Sequence, residues 1–223
     1  EYNNCLYNLI REAIENVNDE AKSLVSKYPN DTTRQCTKIK VNIELEDDGK
    51  LGLTKVYNNG IGMPIKKTKI RIGDLQSSAL NNDMSKDELN KTKEYYNIHA
   101  NFAFPRTGSN FGKRDKVIGQ NGLGTKAICM CSSIVQVRNY NIDQNKLYTQ
   151  IYKDQLNIIE DPIIKDFGTT KKHDKGFTSI SWLPNFEYIK DTNCYTNDDI
   201  AKITLLIRDF SFNIGRPIIF NDV

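Results

Sequence analysis

No apolar run in this sequence approaches the ~18 residues that a membrane-spanning helix requires, which excludes a protein of that kind. Nor does the start read as a signal peptide, since Glu1-Tyr2-Asn3-Asn4 leads straight into an amphipathic segment. Neither an internal repeat nor a linker-like stretch occurs, so residues 1–223 read as one domain, long enough to bury a sizeable core. A large excess of charge of one sign is lacking, and the net +3 does not by itself indicate a nucleic-acid partner. The basic clusters Lys66-Lys67-Thr68-Lys69-Ile70-Arg71 and Lys171-Lys172-His173 read as solvated loop charge. Cysteines number five, an odd count, and Cys129 and Cys131 point apart on a predicted helix without a second ligand pair for zinc. A reduced, intracellular protein is the simpler inference. Tyr7, His99, His173 and Trp182 read as packing or surface residues.

What is present begins with a long helix, Leu6 to about Ser26. Leu6, Leu9, Ile10, Ala13, Ile14, Val17, Ala21, Leu24 and Val25 recur at three- and four-residue steps and gather into one stripe that faces a core. Glu12, Asn16 and Asp19 share a different sector of that helix, roughly 60° wide. The helix therefore packs with one side and presents carboxylate, amide and carboxylate with another.

Lys38 to Glu46 alternates, with Ile39, Val41, Ile43 and Leu45 on one face, as a half-buried strand does. Asp47-Asp48-Gly49-Lys50 supplies hairpin chemistry, and Leu51 to Tyr57 returns as a second strand that runs into Asn58-Asn59-Gly60-Ile61-Gly62. Gly60 and Gly62 would let the backbone come close to a ligand there. Residues 65–99 show weak periodicity and read as short helical turns and a mobile segment, with Asp83 to Tyr95 a candidate helix. A polar loop from Thr107 to Gly119 is long for a compact domain, which favours a ligand-linked lid. Gly119-Gln120-Asn121-Gly122-Leu123-Gly124 then opens a helix, Thr125 to about Ser133, whose free N–H groups suit phosphate. Ile134–Tyr140, Lys146–Lys153 and Gly176–Leu183 read as strands, Asn197–Ile214 as a helix capped by Asn197, and Pro217–Phe220 as a last strand cut at a hairpin.

ExxxNxxD in the first helix, then NNGxGxP from Asn58, then GxNGxGxK from Gly119, resembles the ATP-binding fold shared by gyrase, heat-shock-90 chaperones, histidine kinases and MutL (GHKL). Within that superfamily the pattern is most similar to the ATPase domain of type IIA DNA topoisomerases. The resemblance implies a two-layer α/β (α+β) sandwich with a mixed, mostly antiparallel sheet. It also implies ATP and Mg²⁺ as ligands, with Glu12 activating water and Asn16 holding the metal and contacting the nucleotide. Asp19 would line the pocket. Asn59 would meet adenine, standing where bacterial gyrases carry aspartate, which favours a eukaryotic or viral type II enzyme. Gly62 and Thr178 would complete the adenine side, the latter in Phe177-Thr178-Ser179-Ile180-Ser181-Trp182-Leu183-Pro184. Asn185 there replaces the usual aspartate. Ser109 and Asn110, in a TSSN-like segment, would lie near ribose and phosphate, and Asn121, Gly122, Leu123, Gly124, Thr125 and Lys126 would wrap the triphosphate.

By the same resemblance the chain is the ATP-operated gate of a larger homodimeric enzyme that passes one DNA duplex through another. The swapped N-terminal arm, the transducer domain with its lysine, and the DNA-cleaving tyrosine lie outside these residues. Such a protein would be nuclear in a eukaryote, or in the host cell or virion if viral, with no membrane partner. A chaperone or MutL-like mismatch-repair ATPase would use the same Glu12 and Asn16 with a different third motif. A non-catalytic nucleotide-binding module, with Glu12 a bystander, is the other alternative.

Overall fold

A computed structural model describes residues 4–75, 85–104, 124–170, 173–189 and 192–222. In chain order the elements are α1 (Cys5–Lys27), β1 (Ile39–Glu46), β2 (Leu51–Gly60), β3 (Lys67–Arg71), α2 (Ile72–Leu75), α3 (Lys86–Asn90), β4 (Thr92–Tyr96), α4 (Asn97–Ala103) and α5 (Gly124–Met130). There follow β5 (Ser132–Asn141), β6 (Lys146–Lys153), β7 (Ile158–Ile159), β8 (Ile163–Asp166), β9 (Gly176–Pro184), α6 (Phe186–Ile189), α7 (Asn197–Ile214) and β10 (Ile218–Phe220).

The main sheet runs β10-β1-β2-β9-β5-β6-β7, with β8 also on β6. Only the β10–β1 pair is parallel among its described ladders, so the sheet is mixed and mostly antiparallel. Helices cover one face. Ile39, Val41 and Ile43 of β1, Val56 of β2, Ile180 and Trp182 of β9, and Val135 and Val137 of β5 point into that layer and are buried. Against them lies the α1 stripe, in which Leu6, Leu9, Ile10, Ala13, Ile14, Val17, Ala21 and Leu24 are all buried, each large aliphatic side chain contributing about 1.5–3 kcal/mol. The stripe is as the periodicity predicts, except that Val25 is exposed, as is Leu45 at the far end of β1. Asn4 starts α1, its Oδ1 accepting from Leu6 N at 2.7 Å, and its amide reaches Asp199 Oδ1 at 2.6 Å, which ties α1 to α7.

Three local expectations are corrected. The N-cap of α7 is Thr196, not Asn197: Thr196 Oγ1 accepts from Asp199 N and Asp199 returns a bond to Thr196 N, a reciprocal capping box that Asn197 has no acidic residue three positions on to complete. Among the described residues of the candidate helix 83–95 only Lys86–Asn90 is helical, closed by Lys91 in an extended conformation, and Thr92–Tyr96 is a strand. Its partner is β3, so Lys67–Arg71 lies on a paired two-stranded ribbon rather than in a loop. The ribbon is pinned at its base by Tyr96 packed edge-on against Tyr148 at 5.7 Å and Tyr95 against Phe104 at 4.8 Å. His99 on α4 is buried and stacked on Tyr152, and burial holds its pKa below the usual histidine range. No helix among the described residues is long and apolar enough to cross a membrane.

Candidate functional site

The residues singled out in the first motif stand on α1 at the level where α5 begins. Glu12 is half-buried and Asn16 exposed; Asn16 Nδ2 donates to the Glu12 carbonyl at 2.7 Å, which turns its amide oxygen outward. Asp19 is buried. Glu15, between them, is raised in pKa mainly by burial; Arg11 opposes the rise, and Glu12 and Asp19 add to it. The middle of α1 therefore gathers several carboxylates at close quarters, with Arg11 ion-paired to Glu12 at 3.9 Å and to Glu15 at 3.4 Å.

Gly124, the last glycine of the third motif, abuts that face. A Cβ there would lie 2.2 Å from Glu12 Oε2 and 3.1 Å from Glu12 Cβ, so only glycine lets α5 come this close to the carboxylate. Two residues on, Lys126 is buried, and no carboxylate of the described residues lies within ion-pair distance of it. Desolvation pulls its pKa down to about 8. Thr125 Oγ1 donates to Asn101 O at 3.1 Å, joining α5 to α4. Ser109, Asn110, Asn121, Gly122 and Leu123 lie outside the described residues, as does the rest of the lid segment.

The second motif turns its two asparagines to opposite faces of the sheet. Asn59 Oδ1 already accepts from Thr37 N at 2.8 Å and Lys38 N at 2.7 Å, and its Nδ2 donates to Thr37 Oγ1 at 3.0 Å. It staples the approach to β1 and lies on the sheet face away from the helices. Strand alternation puts Asn58 on the inner face instead. The directly paired residues Ile39, Asn58, Thr178, Asn139 and Tyr148 form one row across β1, β2, β9, β5 and β6. Thr178 Oγ1 donates to Asn139 Oδ1 at 3.0 Å, which also accepts from Met63 N at 2.7 Å, while Asn139 Nδ2 donates to Met63 O at 2.9 Å. Asn58 is buried, and among the described residues its Oδ1 accepts nothing. A buried amide with an idle acceptor beside a threonine hydroxyl is equipped to read a polar planar ring.

Gly62 serves the frame rather than an open cleft. Its φ is 75°, and a Cβ there would sit 2.0 Å from Tyr140 O, because the turn crosses the end of β5, where Asn141 Nδ2 donates to Gly62 O at 2.9 Å. Gly62→Ala should therefore destabilise the fold by more than about 2 kcal/mol in urea unfolding. A cost below half of that would mean the turn tolerates the displacement and does not frame the site.

Asn58, Asn139 and Asn141 escape the motif reading. Their signal is periodic: Thr54, Val56 and Asn58 continue one inward phase, whereas Asn59 is out of phase. Among the described residues no cluster of three His, Cys, Asp or Glu side chains could hold a metal. What α1 does offer is one outward amide oxygen, on Asn16, which suits Mg²⁺, an ion that usually keeps several waters and takes few protein ligands.

No family model matches the sequence. Over 170 residues it is 24% identical to DNA topoisomerase 2 of Candida albicans, a match covering 75% of this chain and 10% of that protein. The fold superposes on the ATPase and transducer domains of DNA topoisomerase II from Balamuthia mandrillaris with a TM-score of 0.73 at 20% identity, covering 97% of this chain and 47% of that one. The ATPase region of Saccharomyces cerevisiae topoisomerase II gives 0.70 at 18% identity, covering 98% and 48%. A second structure of that region, bound to ICRF-187 (dexrazoxane), gives the same values. The chain thus spans about half the length of the solved chains and a tenth of the curated relative. Its fold is that of the ATPase regions of type II DNA topoisomerases.

Proposed function

We propose that this domain binds and hydrolyses ATP as the nucleotide-operated gate of a type II DNA topoisomerase. The observation that carries the proposal is the abutment of Gly124 on Glu12, which brings the carboxylate of the first motif to the start of the helix that carries Lys126. Glu12, Lys126 and Asn16, carried on these two helices, would supply what phosphoanhydride hydrolysis needs: a base for water, a cation for phosphate and a ligand for a metal.

Glu12 takes the water's proton and is held for that task on a rigid helix. Lys126 supplies charge to the phosphate chain, and Asn16 would hold Mg²⁺. When bound, that ion neutralises phosphate oxygens and so eases departure of the leaving group. Asn58, not Asn59, faces adenine with Thr178, whose hydroxyl is oriented by Asn139. Two such domains would close into a homodimer on binding ATP and capture a DNA duplex, in the nucleus of a eukaryote or wherever a virus replicates. The topoisomerase likenesses favour this over the chaperone and mismatch-repair alternatives.

Calorimetric titration with a non-hydrolysable ATP analogue tests the arrangement. Binding should require Mg²⁺, and Asn16→Ala should weaken it. Asn58→Ala should cost about 1 kcal/mol of affinity, roughly fivefold, for the lost hydrogen bond. Asn59→Ala should leave affinity unchanged but lower stability by about 1–3 kcal/mol, because two backbone N–H groups lose their acceptor. Loss of affinity in Asn59→Ala alone would return adenine recognition to Asn59, and no binding by the parent chain would remove the nucleotide site.

A further inference from the structure

The β3–β4 ribbon concentrates charge that the whole-chain value conceals. Residues 66–71 and 91–96 hold six cations, Lys66, Lys67, Lys69, Arg71, Lys91 and Lys93, against one carboxylate, Glu94. Their net charge of +5 exceeds the +3 of the entire protein, so everything else is net acidic. Asp87 and Glu88 lie beyond the ribbon on α3, where Glu88 is held in a capping box with Ser85.

Strand geometry aligns the charge. Lys67, Lys69 and Arg71 alternate on β3 and so share one face, about 6.8 Å apart, opposite Tyr96, Glu94 and Thr92 of β4. All three cations are exposed. The base is rigid: Lys66 N donates to Asn97 Oδ1, Ile72 N to Lys91 O, and the tyrosines of β4 are anchored in the core. Lys67 and Lys93 lie over the Tyr96 and Tyr95 rings at 5.5 and 5.3 Å, which keeps their stems extended along the ribbon.

We propose that this ribbon is a binding surface for the phosphate backbone of duplex DNA. A two-stranded antiparallel ribbon fits a major groove about 12 Å wide, and cations about 6.8 Å apart can each meet a separate phosphate. An anionic membrane is a poorer match. Beside lysine, arginine, threonine and glutamate the basic face carries only the half-buried Tyr96, and no exposed apolar side chain to enter the acyl boundary. The surface is separate from the nucleotide site and owes nothing to its assignment.

The test is fluorescence anisotropy of a short labelled DNA duplex titrated with the 223-residue chain, without nucleotide, between about 50 and 200 mM salt. Replacing Lys67, Lys69 and Arg71 together by threonine, which suits a strand, should weaken binding at least ~10-fold and flatten the slope of log K against log salt by about 3. Glu94→Lys should tighten binding and steepen the slope by about 1, a gain that misfolding cannot imitate. Analogue binding by both variants should match the parent. Unchanged affinity and slope in the triple variant would overturn the proposal. So would a parent that binds no duplex, or one that prefers phosphatidylserine vesicles to DNA.

Discussion

Glu12→Gln should lower ATP turnover by about 10²–10⁴-fold while leaving affinity for a non-hydrolysable analogue within about threefold. The amide keeps the volume and the helix but cannot take a proton, so only the step in which water attacks is affected. Gly124→Ala reaches the same carboxylate from the other side. Its methyl group would come within 2.2 Å of Oε2, and because Glu12 Cβ is itself only 3.1 Å away, a rotamer change cannot fully relieve the contact. Turnover in Gly124→Ala should therefore fall as well, by about 10-fold or more, through displacement of the base. The decisive comparison is single-turnover hydrolysis with saturating nucleotide for parent and both variants. If Glu12→Gln hydrolyses ATP like the parent, Glu12 is a bystander and the domain is a nucleotide-binding module with another base or none.

Lys126→Met should make the protein more stable and a worse nucleotide binder. Burial favours the neutral amine so strongly that its pKa falls to about 8 from 10.5. Between those values the unfolded chain binds the extra proton, so this group makes stability rise with pH across that window and detracts from it at neutral pH. Methionine keeps the apolar stem and removes the charge, which should raise stability at pH 7 by about 2 kcal/mol and abolish the dependence between pH 8 and 10.5. The same change should weaken analogue binding by about 10–100-fold, the worth of a charge-assisted contact. In the parent, affinity should decline above pH 8, since an increasing share of the lysine must take up a proton before it can meet phosphate. Thermal melts and titrations at pH 7 and 9 measure both effects. A variant that is less stable, with unaltered affinity, would assign Lys126 to packing.

The elements that could be read from sequence are those whose local pattern agrees with their packing. Leu6 to Leu24 repeats at helical steps and lies flat on the core; Ile39, Val41 and Ile43 alternate and point inward. The first motif was legible for the same reason, because one helix fixes the relative positions of Glu12, Asn16 and Asp19 whatever surrounds it. Asn58 and Asn59 show where such reading ends. Both are asparagines in one motif, and only the register of β2 against β9 and the two amides of Thr37 and Lys38 decide which one faces the helices. The β3–β4 ribbon was hidden by composition: lysine and asparagine mask alternation, and its order comes from Tyr95 and Tyr96 packing on residues far along the chain. The β10–β1 pairing could not be foreseen from Ile218–Phe220 either, since a three-residue strand carries too little periodicity to name a partner.

Met63 and Asn139 meet across 76 positions of sequence, and Asn139 and Thr178 across 39. The proposed adenine side of the site is thus assembled from strands that must close long loops before they touch, and such topologies fold slowly. Any chain that has completed only α1 and the β1–β2 hairpin presents Glu12 and Asn16 but has nowhere to seat a base. Nucleotide bound as proposed would therefore select finished molecules: at 100 times its dissociation constant it would add about 2.7 kcal/mol to global unfolding, shared by amides of β2, β9 and β5 together. Nascent or partly opened copies of the domain receive none of that protection, so cellular ATP would act as a final inspector of the fold as well as its fuel.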